Sequence, residues 1–473
     1  MYHDRFIIPK GGPVSAPSAP KEMTVLVTDL TQGKPIKRIL GFCLPLMAGQ
    51  LFQQFYNMVD SIIVGRFAGT LELSAVGSTG SLTFLVVGFV IGLCTGFSIP
   101  VSHAFGEQNM QKMRRFFINS VYLTVGVAAI LTTVTLLLTN QVLTVMNTPD
   151  EIFGLAHDYI YTIFAGLTAT LFYNLFAAVM RALGDSRTPL YLLIFSSILN
   201  IGLDLFLVIR LGMAVKGVAI ATVIAQAASA VLGLVMILKK FPLLRLHRDD
   251  FAPSLKMCGT LLYNGIPMAL QVSVTAVGSI ILQSAVNQLG ADVIAGMAVA
   301  TKIQLMLVLP SETIGITMAT YCGQNLGARR LDRIKDGMRK SILIGMVYCV
   351  ISITVARTLG RTLALLFVTG DQTAVIDCVQ QFLNACSWFY PTLAVLFIVR
   401  NAIQGLGYSI PAMLAGFFEL MARAVMGLVV IPIYGYTAVC YTNPMAWIAA
   451  DCLVIPVYFI VFRLIKKRMN KAE

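Results

Sequence analysis

The sequence predicts an all-α membrane protein whose twelve transmembrane helices form two six-helix bundles, related by pseudo-two-fold symmetry along the membrane normal. Three observations predict this fold class: an apolar composition, twelve apolar runs of spanning length, and a repeated pattern of prolines. The chain has 473 residues, of which 57% are hydrophobic and 12% are charged, whereas soluble domains carry about 25% charged residues. We therefore expect lipid to be its main solvent, and a water-soluble enzyme is excluded.

Apolar runs long enough to cross a bilayer as a helix, which requires about 20 residues, occur twelve times. In order, the predicted spans are 37–66, 73–104, 114–139, 151–181, 188–210, 213–238, 257–288, 292–325, 338–367, 373–405, 409–433 and 441–464. Several are longer than a bare crossing, which indicates tilt or extension of the helix into water.

The two halves of the chain repeat their proline pattern at a fixed spacing. Pro45 precedes Pro189 by 144 residues, and Pro267 precedes Pro411 by the same number. Six spans in each half make both halves enter the membrane in the same direction, which is the parallel-repeat plan of several secondary transporters. The predicted divisions are an N-terminal tail over 1–36, a first lobe over 37–238, an inter-lobe linker over 239–256, a second lobe over 257–465 and a C-terminal tail over 466–473.

Basic residues lie mostly on one predicted side of the membrane. Of the 35 Lys and Arg residues, 28 fall on the side that holds both termini and only five on the other. The positive-inside rule then predicts that both termini are cytoplasmic in an inner or plasma membrane. The net charge of +13 is explained as a topology signal, and no nucleic-acid partner is expected.

Asp60 and Asp204 are carboxylates inside apolar spans, where such groups are costly and usually functional. Each lies six residues before the arginine that ends its outward-running span, so both are expected about 9 Å inside that end. Asn200 lies one turn from Asp204 on the same face, and Thr222 on span six is expected within about 5 Å of this depth. The four residues predict a site for Na⁺, or two carboxylates that share a proton. A purely structural role, in which each acid bonds only a neighbouring polar group, stays open.

Span one carries further polar residues that are candidates for substrate contact or gating. Gln53, Tyr56 and Asn57 extend its polar stripe toward the cytoplasm, and each is explained equally well as an ordinary interhelical hydrogen-bonder. Pro45 removes a backbone hydrogen bond and is expected to bend the helix. A bend on the helix that carries Asp60 is a place where ion binding would change the shape of the lobe.

The second lobe has five charged candidates within its spans, namely Lys302, Glu312, Glu419, Arg423 and Asp451. Glu419 and Arg423 have the i,i+4 spacing of a structural ion pair. Lys302 and Glu312 are about 15 Å apart along one helix, which is too far for them to pair. We expect one of the five to line the transport cavity, but the spacing does not identify which.

Motifs of enzymes and of nucleotide-driven pumps are absent from the sequence. The nine cysteines lie mostly in apolar runs without any CxxC, and the four histidines are scattered, which indicates neither a disulfide framework nor a metal site built on cysteine and histidine. No hydrolase, zinc-protease, Walker or Rossmann pattern is present. We expect no cofactor other than H⁺ or Na⁺ as the coupling ion.

Three stretches resemble the multidrug and toxic compound extrusion (MATE) family: "LPLMAGQLFQQFYNMVDSIIVGRFAG", "MRALGDSRTPLYLLIFSSILNIGLDLFLV" and "GVAIATVIAQ". The resemblance covers about residues 37 to 465. It implies a V-shaped pair of six-helix bundles that exports cationic or amphiphilic compounds in exchange for H⁺ or Na⁺. It also implies a first-lobe cation site made of Asp60, Asn200, Asp204 and Thr222. The span-one proline and tyrosine of the family match Pro45 and Tyr56.

One departure from the family concerns the second lobe. Some branches have a glutamate about eight residues after the span-seven proline, where this chain has Thr275. The pattern is closer to the bacterial DinF-like branch, in which the first lobe couples the ion. We expect a monomer that transports small organic cations or amphiphiles.

Two alternative functions remain at the level of sequence. A flippase of lipid-linked oligosaccharides or precursors, from the same superfamily, would favour a cavity lined by several cations, of which Lys302 and Arg423 offer two. A membrane-embedded enzyme would need a cluster of His, Cys or Ser, and none is visible.

Overall fold

The computed structural model describes residues 28–471, and all regular structure in that part of the chain is helical. The first half contains α1 Pro35–Ile63, α2 Thr70–Ser78, α3 Gly80–Gly106, α4 Met110–Val145, α5 Asp150–Ala165, α6 Leu167–Ala182, α7 Arg187–Asp204 and α8 Ala214–Lys240. The second half contains α9 Leu255–Val286, α10 Ala291–Gly327, α11 Leu331–Ala364, α12 Thr373–Ser387, α13 Tyr390–Gly405, α14 Ser409–Val425, α15 Ile431–Tyr434 and α16 Tyr436–Asn470. Most of the N-terminal tail predicted over 1–36, and residues 472–473 of the C-terminal tail, lie outside the described residues.

The helices occupy the twelve predicted spans, with ends that agree to within about two helical turns. Over residues 28–471, nine single helices and two bent pairs are long and apolar enough to cross a membrane. Helix α1 occupies the place of the first span, but its Gln, Asn and Asp residues lower its hydropathy below that of the others. Large apolar side chains such as Leu137 (70% exposed) and Ile130 (67% exposed) cover the outside of α4, as expected of a surface that contacts lipid. The protein is therefore an all-α polytopic membrane protein.

Spans four and ten are broken near their middle, which the apolar pattern did not predict. Helices α5 and α6 meet at an angle of 48°, and α12 and α13 meet at 57°. The first break lies at Gly166, where a Cβ atom would collide with the side chain of Val223 on α8. The second break precedes Pro391, which lies in the first turn of α13, where a proline is well tolerated.

Contacts divide the described chain into two compact units, whose boundaries fall inside helices. The N-terminal unit contains Leu44–Ala269, and the C-terminal unit contains Leu30–Cys43 together with the residues from Leu270 onward. The boundaries lie beside Pro45 in α1 and near Pro267 in α9. The first residues of α1 therefore belong to the C-terminal unit, and the first half of α9 belongs to the N-terminal unit.

The segment before α1 is fixed by buried hydrogen bonds within the C-terminal unit. Arg333 donates to the carbonyl oxygens of Leu30 at 3.0 Å, Gln32 at 3.3 Å and Gly33 at 2.8 Å. Asn325 donates to Leu30 at 3.2 Å and accepts from Arg333 at 3.0 Å. The start of α1 is thus held by side chains of α10 and α11.

The linker before α9 is ordered by one buried carboxylate, Asp250. Its Oδ2 accepts from Arg114 Nε at 2.7 Å and from the backbone N–H of His247 at 2.9 Å. Burial alone would raise the pKa of Asp250, but these hydrogen bonds and the Arg114 charge hold the pKa below its ordinary value. The linker therefore docks on α4 through an ionised group.

Asp250→Asn is expected to loosen this linker at neutral pH, because a hydrogen bond to a charged group contributes about 1.5–3 kcal/mol. Since the folded pKa is depressed, this stabilisation is present above the ordinary pKa of 3.8 and is lost as the pH falls through the lower folded value. Limited proteolysis at pH 7 measures the change, with the exposed neighbour variant Asp249→Asn as control. Equal cleavage of the two variants would show that Asp250 does not hold the linker.

Candidate functional site

Asp204 is the last residue of α7, and its side chain is fully buried. Both of its carboxylate oxygens lack a hydrogen-bond partner among the described residues. The backbone that follows, Leu205–Arg210, is wound as a π-helix, an irregularity found frequently at functional sites. A buried carboxylate of this kind is stable only when a proton or a cation compensates its charge.

Asp60 on α1 is within hydrogen-bonding reach of Asp204. Its Oδ1 is also buried with no partner in the part of the chain that the structure describes. Helix α1, like α7, changes to π-helical winding shortly after its acid, at Val64–Ala68. Two ionised carboxylates have no donor to offer each other, so the pair is repulsive until a proton or a cation lies between them.

Asn200 and Thr222 complete the polar surroundings of the two acids. Asn200 Nδ2 donates to Thr222 Oγ1 at 3.3 Å, and the side chain of Tyr56 lies near Thr222. Asn200 Oδ1 is a further buried oxygen for which residues 28–471 supply no donor. The structure thus brings Tyr56, Asn200 and Thr222 to the acids.

The chemistry of this oxygen set fits a proton or Na⁺ better than a transition metal. Its members are two carboxylates, an amide and a hydroxyl, which are hard ligands. In the described part of the chain, no group of three or more His, Cys, Asp and Glu side chains could hold a metal ion. A monovalent ion would neutralise one of the two carboxylate charges.

A small apolar cluster lies directly beyond the acids toward the end of the spans. It consists of Val64, Val208 and Val218, all nearly inaccessible to solvent. Val64 and Val208 each follow their acid by four residues, which is about 6 Å along a helix. The cluster excludes water from one side of the site and so strengthens the electrostatic interactions within it.

Tyr159 on α5 belongs to the site but was not predicted from the sequence. It packs against the apolar cluster and lies within electrostatic range of both Asp60 and Asp204. One tyrosine among many apolar residues of span four gives no periodicity or spacing that would single it out.

Three further span-one candidates, Pro45, Gln53 and Asn57, lie on the helix that carries Asp60. Gln53 and Asn57 are exposed, and the carbonyl of Asn57 accepts from Ser61 Oγ at 2.9 Å. Pro45 lies inside α1, which continues as a helix from Pro35 to Ile63. Asn57 lies one helical turn before Asp60 on the same face of α1, and its side chain is exposed.

The second-lobe candidates form a separate buried network in the C-terminal unit. Glu419 accepts from Arg423 Nη2 at 3.4 Å, the pair that their spacing predicts, and from Arg400 Nη1 at a closer 2.8 Å. Arg400 is one of the 28 basic residues that lie on the predicted side of the termini, and its spacing does not identify it as a partner of Glu419. Asp451 lies within electrostatic range of Arg400 and Glu419.

Lys302 and Glu312 on α10 have different partners. The ammonium group of Lys302 lies 5.7 Å from the centre of the Phe367 ring, a cation–π contact. Glu312 lies within electrostatic range of Arg400. The two residues do not pair with each other, as their spacing along the helix predicted.

An all-α fold of twelve spans, with buried polar sites inside its apolar units, defines a polytopic membrane transporter. The MatE family model matches residues 45–206 and 267–429, which together make up more than half of the chain. The protein therefore belongs to the MatE family of multidrug and toxic compound extrusion transporters.

Individual relatives agree with this assignment. The chain is 26% identical over 384 residues to the probable multidrug resistance protein YpnP of Bacillus subtilis, covering 80% of this chain and 84% of that protein. It is 24% identical over 331 residues to DNA damage-inducible protein F of Escherichia coli, covering 67% and 70%. The crystal structure of MATE in complex with MaL6 superposes with a TM-score of 0.87 at 20% identity, covering 95% of this chain and 100% of that one. These likenesses support a multi-pass cell-membrane protein that transports small molecules.

Proposed function

We propose that the protein is a secondary active multidrug antiporter that exports cationic or amphiphilic compounds in exchange for H⁺ or Na⁺. The observation that carries this proposal is the contact between Asp60 and Asp204, whose buried oxygens have no donor in the described chain. Loading one ion converts a repulsive pair into an attractive one. The energy of the contact between α1 and α7 therefore depends on ion occupancy.

The ion acts on transport by favouring one conformation of α1. We propose that it enters from the outside, with both termini cytoplasmic, and binds the two acids while Asn200 and Thr222 orient the ligands. Closure of α1 against α7 then repacks the N-terminal unit and lowers its affinity for the drug, which leaves outward. The coupling is limited to the difference in ion affinity between the two conformations.

We propose that the two predicted lobes, 37–238 and 257–465, move as bodies and that the linker 239–256 joins them. We also propose that the protein works as a monomer. Alternating access in parallel-repeat transporters uses such lobes around a central site. Gln53 and Asn57 are proposed to contact substrate, because their exposed side chains lie on the helix that carries Asp60.

The flippase alternative has less support from the charged residues of the C-terminal unit. Arg400 and Arg423 bond Glu419, and Lys302 contacts an aromatic ring. Cations engaged in this way are not arranged to hold the pyrophosphate of a lipid-linked precursor, which needs several convergent donors.

Transport in proteoliposomes with a pH gradient or a sodium gradient imposed separately tests the proposed function. We expect ethidium movement to follow one of the two gradients and to stop when that gradient is collapsed. Ethidium movement that is the same with and without both gradients would overturn antiport.

A further inference from the structure

One guanidinium in the C-terminal unit is shared by carboxylates from three helices. Arg400 on α13 donates to Glu419 of α14 at 2.8 Å. Glu312 of α10 and Asp451 of α16 lie within electrostatic range of the same guanidinium. A single arginine can bind one carboxylate in bidentate geometry but not three. The other two acids therefore interact with Arg400 more weakly.

The second arginine of the network does not relieve this shortage. Arg423 also donates to Glu419 through Nη2, and its Nε donates to Asn443 at 3.4 Å. Its side chain lies against Gly278 of α9, where a Cβ atom would be only 3.1 Å from Cδ and 3.2 Å from Nη1. Arg400 and Arg423 both donate to Glu419, which is itself buried, while Nη1 of Arg423 has no hydrogen-bond partner within residues 28–471.

Asp451 is the acid that this arrangement leaves unsatisfied. Its side chain is 7% exposed, and its Oδ1 has no hydrogen-bond partner within residues 28–471. Helix α13 brings Arg400, and α14 brings Glu419, within electrostatic range of Asp451. Counted as ionised groups, Glu312, Glu419 and Asp451 exceed the two arginines by one negative charge. Such an excess is costly in a membrane interior.

Helix α12, which also packs on α16, contributes a thiol at a different depth. The Sγ of Cys386 donates to the carbonyl of Cys440 at 3.1 Å. Cys440 precedes Asp451 by eleven residues, which is about 16 Å along α16. The charges that act on Asp451 are therefore those of Arg400 and Glu419.

We propose that Asp451 is a second proton site of the transporter, in the C-terminal unit, that is loaded and emptied once in each transport cycle. A proton from water bonds to the carboxylate, neutralises the excess charge and leaves both arginines on Glu419. When the proton returns to water, Arg400 is drawn from Glu419 toward Asp451, and α13 shifts against α14. The proposal rests on the proposed function, because it assigns a second ion to the same antiport.

A proton fits this network better than a sodium ion does. Arg400 places a fixed positive charge beside the acids, which opposes a metal cation at short range. Protonation needs only one oxygen, whereas Na⁺ requires several converging oxygen ligands. The network uses spans eight, ten, eleven and twelve, and Thr275 on span seven takes no part in it.

The number of protons exchanged per ethidium tests the proposal in proteoliposomes that hold the full chain. The ratio is obtained from the pH gradient that just balances a known ethidium gradient. We expect Asp451→Asn to lower the ratio by about one proton while transport continues, and Asp60→Asn to abolish gradient-driven transport. An unchanged ratio in Asp451→Asn would overturn the second site and leave the proposed function intact.

Infrared titration of the purified protein gives a readout that does not depend on transport. A protonated carboxyl has a carbonyl stretch that disappears on ionisation, and we expect Asp451→Asn to lack one such pH-dependent band. The same band should persist in Asp60→Asn and Glu312→Gln, and Asp451→Glu should restore it at a shifted frequency. If Asp451→Asn fails to fold, the Asp451→Glu spectrum decides the question. A carbonyl band at the same frequency as in the wild type would then show that residue 451 does not titrate.

If folded Asp451→Asn retains every pH-dependent band of the wild type, the proposal is wrong and the network is a structural cluster of ion pairs.

Discussion

Asp60→Asn is expected to reduce gradient-driven ethidium efflux to the level of vesicles without protein. Asparagine keeps the size and much of the hydrogen-bonding capacity of aspartate but removes the charge that a coupling ion neutralises. Coupling free energies between sites of about 1–3 kcal/mol correspond to about 5–150-fold in affinity, so we expect a loss of about tenfold or more. Initial rates in proteoliposomes, under whichever gradient drives the wild type, measure it.

The matched control for this variant is Glu151→Gln in the same unit. Glu151 is an exposed acid at the start of α5, outside the cluster of Asp60, Asp204 and Tyr159. Its replacement removes one negative charge from the unit and should leave the initial rate within about twofold of the wild type, because interactions between exposed charges are weak. Undiminished pumping by Asp60→Asn, or an equal loss in Glu151→Gln, would contradict an ion site at Asp60.

Gly96→Ala is expected to lower the thermal stability of the protein in detergent substantially. A Cβ atom at Gly96 of α3 would lie 2.5 Å from Cα of Gly265 and 2.6 Å from the carbonyl oxygen of Asn264, both on α9. These contacts are to backbone atoms, which cannot rotate away as the end of a side chain can. Overpacking costs about 1–3 kcal/mol, and the improved helix propensity of alanine offsets about 1 kcal/mol of that.

Gly126→Ala is the control for the packing argument. Gly126 also lies inside a long helix, α4, but nothing is within 4 Å of the position that a Cβ would take. The same substitution there should leave the melting temperature unchanged or slightly raised, because only helix propensity changes. Circular dichroism of both variants distinguishes the cases, and melting curves that shift equally would contradict close packing of α3 on α9.

Features that depend on helix rise and spacing could be predicted from the sequence. The shared depth of Asp60 and Asp204 followed from their equal distances to the arginines that end their spans, because every helical residue advances the chain by about 1.5 Å. Gly92 and Gly96 have the four-residue spacing of close helix packing, and α9 does approach both. The Glu419–Arg423 pair followed from its i,i+4 spacing.

Features that depend on the packing of distant segments could not be predicted. Arg400 lies 19 residues before Glu419 and near the end of its span that is predicted to be cytoplasmic, so it resembled a topology-setting cation. Tyr159 lies near the acids because α5 packs on α8. No local sequence pattern predicts that contact. The bend at Gly166 was also missed, since glycine is common in unbroken transmembrane helices and only the approach of Val223 requires it here.

The most direct test of whether Asp60 and Asp204 bind a single ion together is to count the ions that the protein binds. Proton uptake and sodium binding are measured per molecule on the purified wild type, on Asp60→Asn, on Asp204→Asn and on the double variant. If the acids act as one site, each single variant loses one ion and the double variant loses no more than either. Loss of one ion in each single variant and of two in the double variant would show two independent acids and contradict the shared site.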